Sequence, residues 1–244
     1  MRTQTRKAYN QRLFSGGIRK WIHEARFHWL NDSLRKLDCI PASVIELGCY
    51  DAKTINFLPV KPLRFVGLDA NWENGLDIAR EQWKEETGYE FLYCRKPEDV
   101  QVSGIFDISI CMETLEHVPP GLVNPYLEFL SAHTRKYTFI TVPIEKGLVF
   151  ATKYLVKRIG RMDAESYTLG EFTNAALGRI DKVPRHEHRG FDYSEIIESA
   201  ARFFEILDVS SYPLPFLPES IGFGIGIIGK SKRSPLIENH NAPV

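Results

Sequence analysis

Mainly apolar residues fall in short runs of four to six between residues 44 and 142, and polar, helix-compatible stretches separate them. The spacing predicts strands at 44–47, 64–68, 90–93, 106–111 and 137–142, with helices at 51–58, 73–86 and 122–134. Pro59 and Pro62 end the first of those helices. Such alternation of strand and helix implies a parallel sheet covered on both faces. Residues 1–40 show helical periodicity instead, with Trp21, Ile22, Ala25, Phe27, Trp29, Leu30 and Leu34 available as an apolar stripe.

The pattern breaks at residues 146–185. Lys146 to Arg161 is basic and apolar together, and Gly170 and Gly178 interrupt the mixed stretch from Asp163 to Pro184. A helix over 191–201, opened by Asp192 or Ser194, and a strand over 203–209 come next. Ile221 to Ile228 alternates glycine with apolar residues and fits a last strand. The organisation expected is a helical cap at 1–40, an α/β domain at 41–230 with an insertion at 146–190, and a flexible tail at 231–244.

Composition narrows the class. Thirty-one basic and 31 acidic side chains give no net charge, which argues against an extended nucleic-acid-binding face. The four cysteines, Cys39, Cys49, Cys94 and Cys111, form no CxxC pair and suit buried, reduced thiols. No apolar run approaches the ~18 residues of a membrane span, and the basic N-terminus lacks the apolar core of a signal peptide. A cytoplasmic location is the expectation.

The chemistry concentrates where the first strand ends. Val44 to Leu47 stops at Gly48 and turns toward a helix, and the second apolar run ends in Asp69, about 20 residues on. An acid there can hold a ribose hydroxyl pair. Dinucleotide loops use several glycines to bring backbone N–H groups onto a pyrophosphate. Here Tyr50 and Ala52 stand where glycines would serve, and Glu46 and Asp51 would repel a phosphate. The two carboxylates suit a ligand carrying an amino group or a cationic sulfur.

On these residues the chain resembles the class I S-adenosylmethionine-dependent methyltransferases. The resemblance rests on Glu46-Leu47-Gly48-Cys49 with Tyr50-Asp51-Ala52, on Gly67-Leu68-Asp69, on Phe106 to Val118 with its Glu116-His117-Val118 ending, and on the strand from Tyr137 to Val142. It covers residues 41–145 well and 186–230 more loosely, and is nearest the small-molecule branch. It implies an α/β, Rossmann-like, doubly wound, mostly parallel sheet with an antiparallel last strand. It also implies N-terminal helices beside the cofactor and a lid inserted after the fifth strand. The cofactor implied is S-adenosyl-L-methionine, with Glu46, Gly48, Tyr50, Asp69, Ala70, Asp99 and Met112 as its contacts.

Glu113 and His117, four apart after the 106–111 strand, share a face of a helical turn at the ligand edge of the sheet. His186 and His188 would lie on one side of an extended segment. An imidazole can take a proton from a hydroxyl acceptor, so His188, then His117, with Glu113, are the candidate catalytic residues. The His-x-His pair lacks a third spaced ligand, so no metal is expected. The reaction implied is O-methylation of a small-molecule or glycan acceptor. Residues 148–161 offer peripheral contact with a membrane bearing a lipid-linked one. The departures in the glycine loop also suit a non-catalytic, cofactor-binding partner subunit. A protein or nucleic-acid methyltransferase is disfavoured, because Cys111-Met112-Glu113-Thr114 lacks a proline- and aromatic-rich amine-binding motif.

Overall fold

The structure, a computed structural model, describes residues 17–159, 166–186, 188–214 and 222–232. Seven strands build one sheet: β1 (Ser43–Leu47), β2 (Arg64–Asp69), β3 (Tyr89–Tyr93), β4 (Phe106–Met112), β5 (Thr134–Pro143), β6 (Phe204–Tyr212) and β7 (Gly224–Ser231). Their order is β3-β2-β1-β4-β5-β7-β6, with β1 to β5 mutually parallel and β7 antiparallel to both neighbours. The order reverses between β1 and β4. In an open sheet of this kind, the crevice at the carboxyl ends of the strands flanking that reversal is where ligands bind.

Period-two alternation splits each apolar run between two cores. Val44, Phe65, Ile110 and Phe139 face one side, where α1 (Gly17–Lys36) packs with Ala25, Phe27, Trp29, Leu30 and Leu34 buried. Ile45, Val66, Cys111 and Ile140 face the other, against α3 (Pro120–Ala132) and α6 (Tyr193–Phe203), with α2 (Gly75–Gln82) on the α1 side. Asp192 caps α6, accepting from Ser194 N–H at 2.9 Å. The glycines of β7 make room for rings. A Cβ at Gly226 would stand 2.1 Å from Trp29 Cε2, and one at Gly224 would stand 2.1 Å from the Tyr212 hydroxyl.

Several elements differ from the sequence expectation. The helix expected over 51–58 is a 3-10 turn, Lys53–Phe57, entered through left-handed Tyr50 and Ala52 and stopped before Pro59. The one expected over 73–86 is a short 3-10 turn and then α2, because Asn71, Glu73 and Asn74 all have positive φ. Ser231, expected in the tail, ends β7, and Lys232 N–H after it donates to Phe203 O at 3.1 Å. Residues 233–244 of the tail and 1–16 of the cap lie outside the described residues.

Between β5 and α6 the chain forms α4 (Gly147–Ile159) and α5 (Leu169–Ala176). Phe150, Ala175, Ile180 and Val183 give this segment its own small core, lined further by Tyr154, Tyr167 and Phe172. It lies at the carboxyl edge, held to the main domain by Val149 in the second core and by Lys146, which donates to Asp192 and to Ser194 Oγ. Among the described residues no helix is long and apolar enough to cross a membrane. All four cysteines are buried and unpaired with one another.

Candidate functional site

The strand ends at the β1/β4 reversal carry acids. Glu46 shares the face of Val44 and so points toward α1. One of its oxygens accepts from Thr54 Oγ1 at 2.6 Å, while the other, also buried, meets no hydrogen-bond partner among the described residues. Burial pushes its carboxyl up to about 8, against the Thr54 hydrogen bond, which favours the ionised form.

Asp69, at the end of β2, is a loop organiser. Its Oδ2 accepts from Tyr50 N–H at 3.0 Å, and its Oδ1 from Asn71 N–H at 2.7 Å and Trp72 N–H at 3.3 Å. Burial raises its pKa, and these three bonds oppose the rise. A carboxylate has about four lone-pair sites, so room remains for a further donor.

Gly48 is required by close approach, but to protein. It has φ +74°, and a Cβ there would stand 2.0 Å from Thr114 Oγ1 in the loop after β4. Tyr50 and Ala52 keep the left-handed conformation that glycines would adopt, at φ 48° and 54°. The Tyr50 ring fills the space over Gly75, at the start of α2, and lies 6.2 Å from Trp72. Ala70 is exposed beside Asp69, and Met112 is buried at the end of β4. Asp99 is exposed and closes its own turn, accepting from Arg95 and Lys96 N–H at 2.9 and 3.1 Å.

After β4 the chain takes a strained step at Glu113, φ +48°. The Tyr212 hydroxyl donates to Glu113 Oε1 at 2.5 Å, linking this loop to the end of β6. Glu116 is 1% exposed, and neither of its oxygens has a hydrogen-bond partner among the described residues. Burial, with Glu113 beside it, raises its pKa well above the ordinary value. His117 Nε2 lies 3.9 Å from Glu116 Oε1.

The segment between β5 and α6 brings in its own histidine. The rings of His117 and His188 meet edge to face, centroids 4.5 Å apart at 82°. His186 does not join them. His186 and Arg189 exchange backbone hydrogen bonds in a tight turn, so the segment is not extended, and His186 is exposed. Arg185 holds this turn in place, donating to Glu116 O at 3.4 Å with its guanidinium 4.6 Å from the Phe191 ring centre. One donor atom each from Glu116, His117 and His188 lies within 4.8 Å of the others. The sequence offered no third ligand beside 186 and 188; the fold supplies it from the β4 loop.

Arg26 was missed by sequence reasoning. It sits in α1 between buried Ala25 and Phe27, and its charge acts on Glu46, Glu116 and Tyr212 alike. Its Nε is buried without a hydrogen-bond partner among the described residues. A basic residue inside a buried helical stripe was the available signal. A groove of about 440 Å³ also runs between α1 and β6, lined by Trp21, Trp29, Asp32 and Leu207 among others. None of the carboxylates at the strand ends lines it, so it is a different feature.

No family model matches this chain, and no curated protein matches it in sequence. Solved structures do match in shape. An S-adenosylmethionine-dependent methyltransferase from Clostridium acetobutylicum superposes with TM-score 0.62 at 12% identity, covering 91% of this chain and 96% of that one. The methyltransferase domain of a bacterial Hen1 protein gives 0.58 at 12% identity, over 86% and 99%. Magnesium protoporphyrin IX methyltransferase from Synechocystis, solved with bound S-adenosylhomocysteine, gives 0.55 at 14%, over 91% and 92%. The fold is that of the class I methyltransferases, as the sequence motifs implied.

Proposed function

We propose that this protein is an S-adenosylmethionine-dependent methyltransferase acting on a hydroxyl of a small-molecule or glycan acceptor. The observation that carries the reading is a pair of buried, unsatisfied polar atoms of opposite character at the sheet reversal: Glu46 Oε2 and Arg26 Nε. Buried polar atoms of this kind are uncommon unless a ligand or water completes them. The methionine end of the cofactor carries both an amino and a carboxylate group, which these two residues would hold. Asp69, with acceptor capacity left, would take the ribose hydroxyls, while Gly48, Tyr50, Ala70 and Met112 would line the path between. Asp99, whose Oδ2 takes both of its turn bonds, would accept from the adenine amino group with the acceptor capacity left on its carboxylate.

The cofactor supplies a methyl group on a cationic sulfur; alignment of the acceptor against it is the protein's task, and proximity is the largest expected contribution. Glu113, Glu116, His117 and His188 surround the place where an acceptor oxygen would lose its proton. The lid segment would shelter that place from water. Its α4 exposes Leu148, Leu155, Val156 and Ile159, which suits contact with a membrane carrying a lipid-linked acceptor.

Calorimetry with S-adenosylhomocysteine, and mass spectrometry of the purified protein for a co-bound cofactor, test the reading. Binding in the micromolar range or tighter is expected, and Arg26→Ala should weaken it at least tenfold. Absence of binding by the folded protein would overturn it.

A further inference from the structure

We propose that Glu116, His117 and His188 form a site for a divalent first-row cation, with coordination positions left open for an acceptor oxygen. The donors come from two separate parts of the chain, the loop after β4 and the lid turn, and converge to within 4.8 Å. Zinc and its neighbours hold imidazole nitrogen and carboxylate oxygen at ~2.0–2.2 Å, which sets adjacent donors ~3–4 Å apart. The observed spacing is therefore close to that of a ligand shell and closes with small side-chain adjustments.

Glu116 gives the independent argument. Its carboxylate is fully buried, and His117, at 3.9 Å, is too far to hydrogen-bond to it. Glu113 adds a second acid beside it. A buried carboxylate without hydrogen bonds is costly, and a coordinated cation is one of the few partners that offsets the cost. Arg26 and Arg185 act on Glu116 through their charge, and the acids Glu113 and Glu145 oppose them.

Two imidazoles and one carboxylate form a donor set suited to zinc, iron or manganese in the divalent state, and three ligands leave room for others. A hydroxyl that ligates such a cation is acidified, and its proton passes to a water molecule at another open coordination position. The histidines then act as ligands rather than as the base. This role at the acceptor rests on the methyltransferase reading; the site itself does not.

The test uses the full chain, dialysed against a chelator and titrated with CoCl2 by visible absorption and with ZnCl2 by calorimetry. One equivalent should bind, with the absorption of a four- or five-coordinate cobalt site. His117→Asn, His188→Asn and Glu116→Gln should each weaken binding at least tenfold while thermal melts and S-adenosylhomocysteine affinity stay within twofold of the parent. Uptake that is not saturable, or is equal in parent and variants, overturns the site. Cobalt binding without any S-adenosylhomocysteine binding supports the site and overturns the methyltransferase reading instead.

Discussion

The backbone amide of Tyr50 donates to the carboxylate of Asp69 at 3.0 Å, which ties the loop after β1 to the end of β2. The same carboxylate holds Asn71 and Trp72, so two loops at the cofactor edge depend on one side chain. On the proposed function, ligand binding and loop structure would be coupled.

Asp69→Ala should therefore do two things. It should destabilise the fold by about 2 kcal/mol, since backbone donors lose a charged acceptor. It should also weaken S-adenosylhomocysteine binding at least tenfold. Asp69→Asn keeps one acceptor oxygen and should fall between the parent and Ala in both urea unfolding and calorimetry. Parent-like affinity in a folded Ala variant would remove Asp69 from the ribose site.

Glu46 makes stability depend on pH in an identifiable direction. Its folded pKa, about 8, lies above the ordinary 4.5, so the native state holds a proton that the unfolded chain has released. Stability should then be fullest below about 4.5 and fall as pH rises toward 8, at up to roughly 1.4 kcal/mol per pH unit for one group. Asp51, Asp69 and Arg26 face it from neighbouring segments, and Thr54 hydrogen-bonds to it. Glu46→Gln should flatten the slope in urea unfolding measured from pH 5 to 9. Some slope should persist, because Asp69 is shifted the same way. An unchanged slope would show that Glu46 is ionised in the fold.

Gly226 and Trp29 fix the cap on the sheet. The Trp29 indole lies over Gly226 and donates to Ser210 Oγ at 3.1 Å. Gly226→Ala should displace α1 and cost about 1–3 kcal/mol, as overpacking does. Trp29→Ala should cost about 3–5 kcal/mol. Adding Gly226→Ala to Trp29→Ala should cost much less than it does alone, because the clash has gone. Additive effects in the double-mutant cycle would mean the contact does not hold the cap.

Strand identity and order of chemistry were legible in the sequence, since buried parallel strands read as apolar runs bounded by turn residues. The motif from Glu46 to Ala52 with Asp69 pointed to the carboxyl ends of the first two strands as the ligand edge before any fold was known. Local geometry there was less legible. A helix was expected over 51–58 from spacing, but Tyr50 and Ala52 take the left-handed conformation, Tyr50 with its N–H on Asp69 and Ala52 buried with its N–H on Cys49 O. Gly48 was expected to admit a ligand, and the fold also sets Thr114 from another loop against it.

The amino-acid sequence by itself determined the alternating elements, the acids at the strand ends and the single surviving glycine of the loop. Those features arise from periodicity and from short-range steric rules. Only the tertiary structure decided which distant groups share a space. It separated His186 from His188 by a tight turn and set His188 against His117. It also buried Glu116 beside them and brought Arg26 of α1 within electrostatic reach of Glu46. The reason is physical: spacing along a chain constrains neighbours within one turn or one strand, whereas burial and charge pairing depend on which surfaces the folded sheet brings together.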